Sequence, residues 1–234
     1  MNSSEGKQGL LKRSTMAVAI GGVCAFSGAT WADLPTLPAS GTVGVSGTTV
    51  AAHPFLAGTV LVDTLQNWSD GLGDSGQVQT RVVSETGTGT LDFYYRFYTG
   101  SGPNPVEALR VTDYTGINPI SVDFRTDGVG IVGPDTVKRV GTAGEQGVNF
   151  IFSNGFTLSS NFNDNSYFML VHTDATTYAV ATADVLTITH GVTGAPIENL
   201  SNAFNVYAPV PEPENYAMLL AGLGLFGLAR RRAR

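Results

Sequence analysis

The chain has 234 residues, with 19 acidic against 13 basic side chains, 29 glycines and a single cysteine. A net charge of −6 repels phosphate backbones and argues against a nucleic-acid partner. One cysteine excludes an internal disulfide framework and a cysteine-rich metal site.

At the start of the chain, Lys7, Lys12 and Arg13 precede an apolar run of small residues from Ser14 to Phe26. Small residues follow to Ala32, and cleavage is expected between Ala32 and Asp33. This is the layout of a secretory signal peptide, so residues 1–32 are read as a signal helix. Cys24 lies inside it, preceded by Val23 rather than by the small residue that lipidation requires. The mature body therefore has no cysteine and must be held together by core burial alone.

From Leu34 to Pro209 helical periodicity is almost absent. Runs of β-branched and aromatic residues are cut by Gly, Asn, Asp and Pro, with strands predicted over 59–65, 77–84, 89–98, 107–112, 120–125, 148–152, 166–172, 183–189 and 204–207. In the clearest run, Leu91, Phe93, Tyr95 and Phe97 fall on one face and Asp92, Tyr94, Arg96 and Tyr98 on the other. Many short strands without intervening helices predict an all-β fold over residues 33–209, a two-sheet antiparallel β-sandwich of jelly-roll-like form. Six basic residues against 16 acidic ones leave this body near −10, which favours cations or neutral polymers as partners.

After the last strand, Pro211 and Pro213 make residues 210–214 a stiff extended break. Asn215 can cap a helix over the uncharged stretch from Tyr216 to Ala229, and Arg230, Arg231, Arg232 and Arg234 end the chain. A helix of those 14 residues would span about 21 Å, short of a hydrocarbon core of roughly 30 Å, so crossing depends on snorkelling arginines. With the body translocated, the arginines would remain cytoplasmic.

The order Val210-Pro211-Glu212-Pro213, apolar helix, arginine cluster resembles the PEP-CTERM sorting signal and places it at residues 210–234. The resemblance implies a Gram-negative source, transient retention in the inner membrane, processing near Pro211, Glu212 and Pro213 by the membrane enzyme exosortase, and delivery to the cell surface or matrix. Stretches at 109–116, 122–130 and 173–178 are similar to segments of uncharacterised PEP-CTERM proteins, which implies no activity.

Catalytic signals in the body are weak. Val50-Ala-Ala-His53 and Gly73-Asp-Ser-Gly76 resemble the signatures of trypsin-like proteases, with His53 as base and Ser75 as nucleophile. Only 22 residues separate the two, and Gln77 follows where oxyanion-hole glycines belong, so both strings read as turns. His53, His172 and His190 show no short ligand spacing, and zinc is not predicted. Calcium needs only clustered oxygens, which three loops offer: Asp70 with Asp74, Asp123 with Asp127, and Asn161 to Asn165. Such residues also occur in turns for conformational reasons alone.

The face bearing Tyr94, Arg96 and Tyr98 is the candidate ligand face, with Trp68 and Tyr114 expected as further exposed rings in or near loops. Flat rings stack on pyranose faces while polar groups take hydroxyls. The competing expectation is that a loop or the second sheet covers this face. The sequence therefore predicts a non-enzymatic, exosortase-sorted surface or matrix protein without a cofactor, associating with exopolysaccharide. A hydrolase of matrix polysaccharide and a self-associating envelope protein are the alternatives.

Overall fold

The computed structural model describes residues 33–142, 145–190 and 196–211. The expected signal helix and apolar C-terminal helix lie outside the described residues, as do Glu212, Pro213 and the arginine cluster. Along the chain run β1 (Thr42–Gly44), β2 (Gly58–Ser69), β3 (Ser75–Glu85), β4 (Leu91–Ser101), β5 (Val106–Val111) and β6 (Ile120–Arg125). They are followed by β7 (Thr136–Thr142), β8 (Glu145–Phe156), β9 (Phe168–Thr173), β10 (Tyr178–His190), β11 (Pro196–Leu200) and β12 (Phe204–Pro209).

The strands form two antiparallel sheets. One has the order β1-β7-β8-β5-β10-β11, with β12 also paired to β10; the other has the order β2-β3-β4-β9-β6. Their inner faces share one core, the arrangement of a β-sandwich. Leu91, Phe93, Tyr95 and Phe97 of β4 meet Val106, Leu109, Phe150 and Phe152 of the opposite sheet. Tyr95 lies 6.3 Å from Phe150 and Phe97 lies 6.2 Å from Phe152, centroid to centroid. The alternation read in residues 89–98 is thus the pleat of the central strand, with its apolar face turned to the other sheet.

All nine predicted strands coincide with observed ones. The sequence pattern did not reveal β1, β7 or β11. In β7 the consecutive Lys138 and Arg139 mask the strand signal, because Arg139 is buried. Its Nη2 donates to the carbonyls of Tyr114 (2.6 Å) and Ile117 (3.0 Å) and to Gln146 Oε1 (2.9 Å). Trp68 and Tyr114 are not exposed rings, since both belong to the core. Tyr114 does lie in a connection, between β5 and β6, but its hydroxyl meets that of Tyr95 at 2.9 Å and its ring packs against Phe93.

The outer face of the five-stranded sheet is unusual in being largely covered as well. Leu34 and Leu56, from the segment preceding β2, pack with Val83, Tyr94 and Leu170 in a second apolar cluster. This cover is incomplete, and the functional features of the molecule lie beneath and beside it.

Candidate functional site

Antiparallel register places directly opposed residues on the same face, and here it assembles side chains that are far apart in sequence. Asp92, Tyr94 and Arg96 of β4 lie opposite Val83, Arg81 and Gln79 of β3. On the other side, Asp92 and Tyr94 lie opposite His172 and Leu170 of β9, which in turn face Ser121 and Asp123 of β6. Arg125 pairs with Phe168, and Asp63 of β2 with Arg81. One sheet face thus carries an arginine-rich half and an acidic half with Tyr94 between them.

The arginine-rich half surrounds a pocket of about 450 Å³. Arg81, Arg96 and Arg125 line it together with Tyr94, Phe168 and an apolar rim that includes Val60 and Val129, and among the described residues no acid lines it. Three of the six basic residues of the body therefore converge here. Two are neutralised from outside the lining: Arg81 Nη2 pairs with Asp63 Oδ2 at 2.6 Å, and Arg125 Nε with Asp127 Oδ1 at 2.6 Å.

Among the described residues, no carboxylate pairs with Arg96. Its Nε donates to Gln79 Oε1 at 2.7 Å, while its buried Nη1 has no hydrogen-bond acceptor and the residue is only 6 % exposed. Aromatic rings hold the guanidinium in place. Phe168 lies between Arg96 (4.8 Å) and Arg81 (4.6 Å), and Tyr98 lies 5.0 Å below Arg96. Burial, and after it the charge of Arg81, lowers the Arg96 pKa from its ordinary value. A buried cation with a spare donor is costly to leave unmatched and is well suited to an incoming anion.

The acidic half is built on Glu85, Asp92 and His172. His172 Nδ1 lies 2.8 Å from Glu85 Oε1 and 2.9 Å from Asp92 Oδ1, and both carboxylates are buried. Burial pushes Asp92 up to about 6 against the opposing pull of His172. Burial alone would lower His172, but its bonds to Asp92 and Glu85 outweigh that and take it up to about 9. Glu85, which burial would raise, is held below its ordinary value by His172, Thr90 and Thr88.

The three residues of the predicted ligand face are divided. Tyr94 and Arg96 line the pocket, whereas Tyr98 lies outside that lining, stacked on Phe162 at 5.5 Å. The expected cover is also present, supplied by the segment before β2 rather than by a sheet. Arg81, Arg125, Phe168, Glu85 and His172 were not recognised from sequence, because each joins the site only through strand pairing.

The three loops considered for calcium use their oxygens as braces. Asp70 Oδ1 accepts from the Leu72 and Asp74 amides, and Asp74 accepts from the backbone and side chain of Asn104. Asp123 accepts from the amides of Gly47 and Phe124, and Asp127 binds Arg125 and the Val50 amide. Asn165 is tied into the turn from Ser159 to Asn161. His53 Nδ1 meets Thr48 Oγ1 at 2.6 Å, and Ser75 opens β3.

Residues 209–233 match the PEP-CTERM protein-sorting motif. The motif implies a secreted, exosortase-processed protein of the cell surface. Of the sorting residues only Pro211 is among those described, where it follows the end of β12. No curated protein and no solved structure matches the chain.

Proposed function

Starting from a chain that carries the PEP-CTERM protein-sorting motif, we propose that its body is a non-enzymatic binding module, a jelly-roll-like sandwich that holds acidic exopolysaccharide in the pocket around Arg96. The observation that carries this reading is the buried Arg96 guanidinium, with a donor that finds no acceptor among the described residues, in a pocket that two further arginines and no described acid line. A carboxylate-, sulfate- or phosphate-bearing sugar would supply the missing acceptor to Arg96. Tyr94, Phe168 and the apolar rim offer ring and aliphatic surface to the sugar itself. The low positive charge that remains after Asp63 and Asp127 are counted favours one anionic group over a dense polyanion.

The test is incubation of the purified full chain, in detergent, with polysaccharide extracted from the producing matrix. Co-sedimentation with no new reducing ends supports the binding role. New reducing ends would replace it with a hydrolase, and sedimentation of the protein without polymer would replace it with a self-associating envelope protein.

A further inference from the structure

The acidic half of the same sheet face carries an inference of its own. We propose that Glu85, Asp92 and His172 form a binding site for one divalent transition-metal ion of the zinc type. Glu85 Oε1, an Asp92 oxygen and a His172 ring nitrogen lie within 4.8 Å of one another, brought together from β3, β4 and β9.

The hydrogen bonding leaves one acceptor over. His172 Nδ1 can hold a single proton, and Asp92 Oδ1 lies 2.9 Å away to receive it. Glu85 Oε1, at 2.8 Å from the same nitrogen, is a buried oxygen that must share that one proton with Asp92 and has no second donor among the described residues, on a side chain only 2 % exposed. An ion placed among the three atoms satisfies all of them at once. The charges agree too: two carboxylates and a neutral imidazole cancel a dication, whereas two carboxylates and an imidazolium leave one buried negative charge.

The remaining oxygens are held as ligand-orienting partners hold them. Glu85 Oε2 accepts from Thr88 Oγ1 at 2.8 Å and Thr90 Oγ1 at 2.7 Å, and Asp92 Oδ2 faces the Tyr94 hydroxyl at 3.4 Å. Oε1 and Oδ1 are thereby turned toward the imidazole. One nitrogen and two oxygens suit zinc and its neighbours, while calcium would require six to eight oxygens. Ligand atoms about 3.3 Å apart, as bonds of about 2.0 Å require, place the His172 nitrogen roughly half an ångström farther from each oxygen than its present 2.8 and 2.9 Å. A cavity of about 390 Å³, lined by His172 and Glu85 and by the exposed Asp174, gives the ion an entry path and room for water as a further ligand.

The experiment is calorimetric titration of the EDTA-treated full chain, in detergent, with zinc chloride. One ion per chain is expected, with affinity weakened about 100-fold or more in H172N and in E85Q. No zinc bound by the native chain, or undiminished affinity in H172N, overturns the site. Since buried substitutions can unfold the sandwich, ring ¹⁵N spectra of the unsubstituted chain supply a second reading. Zinc is expected to shift the His172 signals, and a spectrum in which it moves only His53 or His190, or none of the three, also overturns the site.

Discussion

Arg96 is held at a cost that its local structure does not obviously return. It is buried, repelled by Arg81, hydrogen-bonded once through Nε, and left with a buried Nη1 that has no acceptor. Its replacement by a flexible apolar side chain of similar length removes that desolvated charge, and this offsets the loss of the Gln79 bond and of the contacts with Phe168 and Tyr98. R96M is therefore expected to change unfolding free energy by no more than about 1 kcal/mol, as measured by denaturant melts, while weakening binding of acidic polymer at least tenfold, about 1.4 kcal/mol. A loss of several kcal/mol with binding intact would make Arg96 a structural residue instead.

Asp127 has the converse role at the rim. Burial would raise its pKa, but the Arg125 bonds and the Val50 amide outweigh burial and lower it from the ordinary 3.8. A carboxylate lowered on folding adds stability above its unfolded pKa, and that stability is lost as pH falls through the folded value. The pair is partly solvated, so the contribution is about 1 kcal/mol or less. In pH-dependent melts D127N should be less stable than the native chain near neutrality, with the gap starting to close at about pH 4, the unfolded value, and vanishing only as pH falls through the lowered folded value. The same substitution frees Arg125 and should strengthen anion binding, which titration calorimetry would read directly.

At the scale of elements, the segment before β2 decides how much of the outer sheet face is available. Leu56, 2 % exposed, closes the second apolar cluster and also lines the arginine pocket. L56A should cost about 2–4 kcal/mol in chemical denaturation, the usual range for a buried leucine, and should enlarge the pocket. A cost below 1 kcal/mol would mean that the segment lies loosely on the sheet. Between β4 and β5, Gly102 has φ +153°, and a methyl group there would overlap the Asp74 carboxylate that braces Asn104. G102A should accordingly lower the melting temperature, whereas an unchanged melting temperature would show the brace to be dispensable.

These elements show how far the sequence could be read and where it stopped. Strands with strict alternation, such as β4, were legible because the pleat repeats every two residues and one face is apolar. Charged β7 was not, since the burial of Arg139 depends on carbonyls of the β5–β6 connection. The polar face of β4 drew attention to Tyr94 and Arg96, and both line the pocket. The grouping of Arg81 and Phe168 around them, and of Glu85 and His172 around Asp92, depends on register between strands, which local periodicity does not encode.

For the whole molecule, net charge and local charge give opposite indications. A body near −10 favours cations or neutral polymers, yet half of its basic residues line one pocket without an acid among the lining residues. Long-range field and short-range recognition are separate quantities, because charges beyond about 8–10 Å are screened at physiological salt. Binding should accordingly weaken only modestly between 50 and 300 mM salt, as the contact is short and partly buried, whereas a steep loss would indicate a diffuse surface interaction. The absence of cysteine from the body adds a simpler expectation: reducing agents should leave its melting temperature unchanged.

The most direct test crosses the protein with the chemistry of its ligand. The affinity of the full chain, native and R96M, would be measured for the matrix polysaccharide before and after chemical reduction of its carboxyl groups to alcohols, and after removal of sulfate or phosphate esters where present. The account predicts tight binding only of the native chain to the acidic polymer, with the neutralised polymer and R96M each losing at least tenfold. Equal affinity for acidic and neutralised polymer, or equal binding by R96M, would contradict the assignment of the Arg96 pocket.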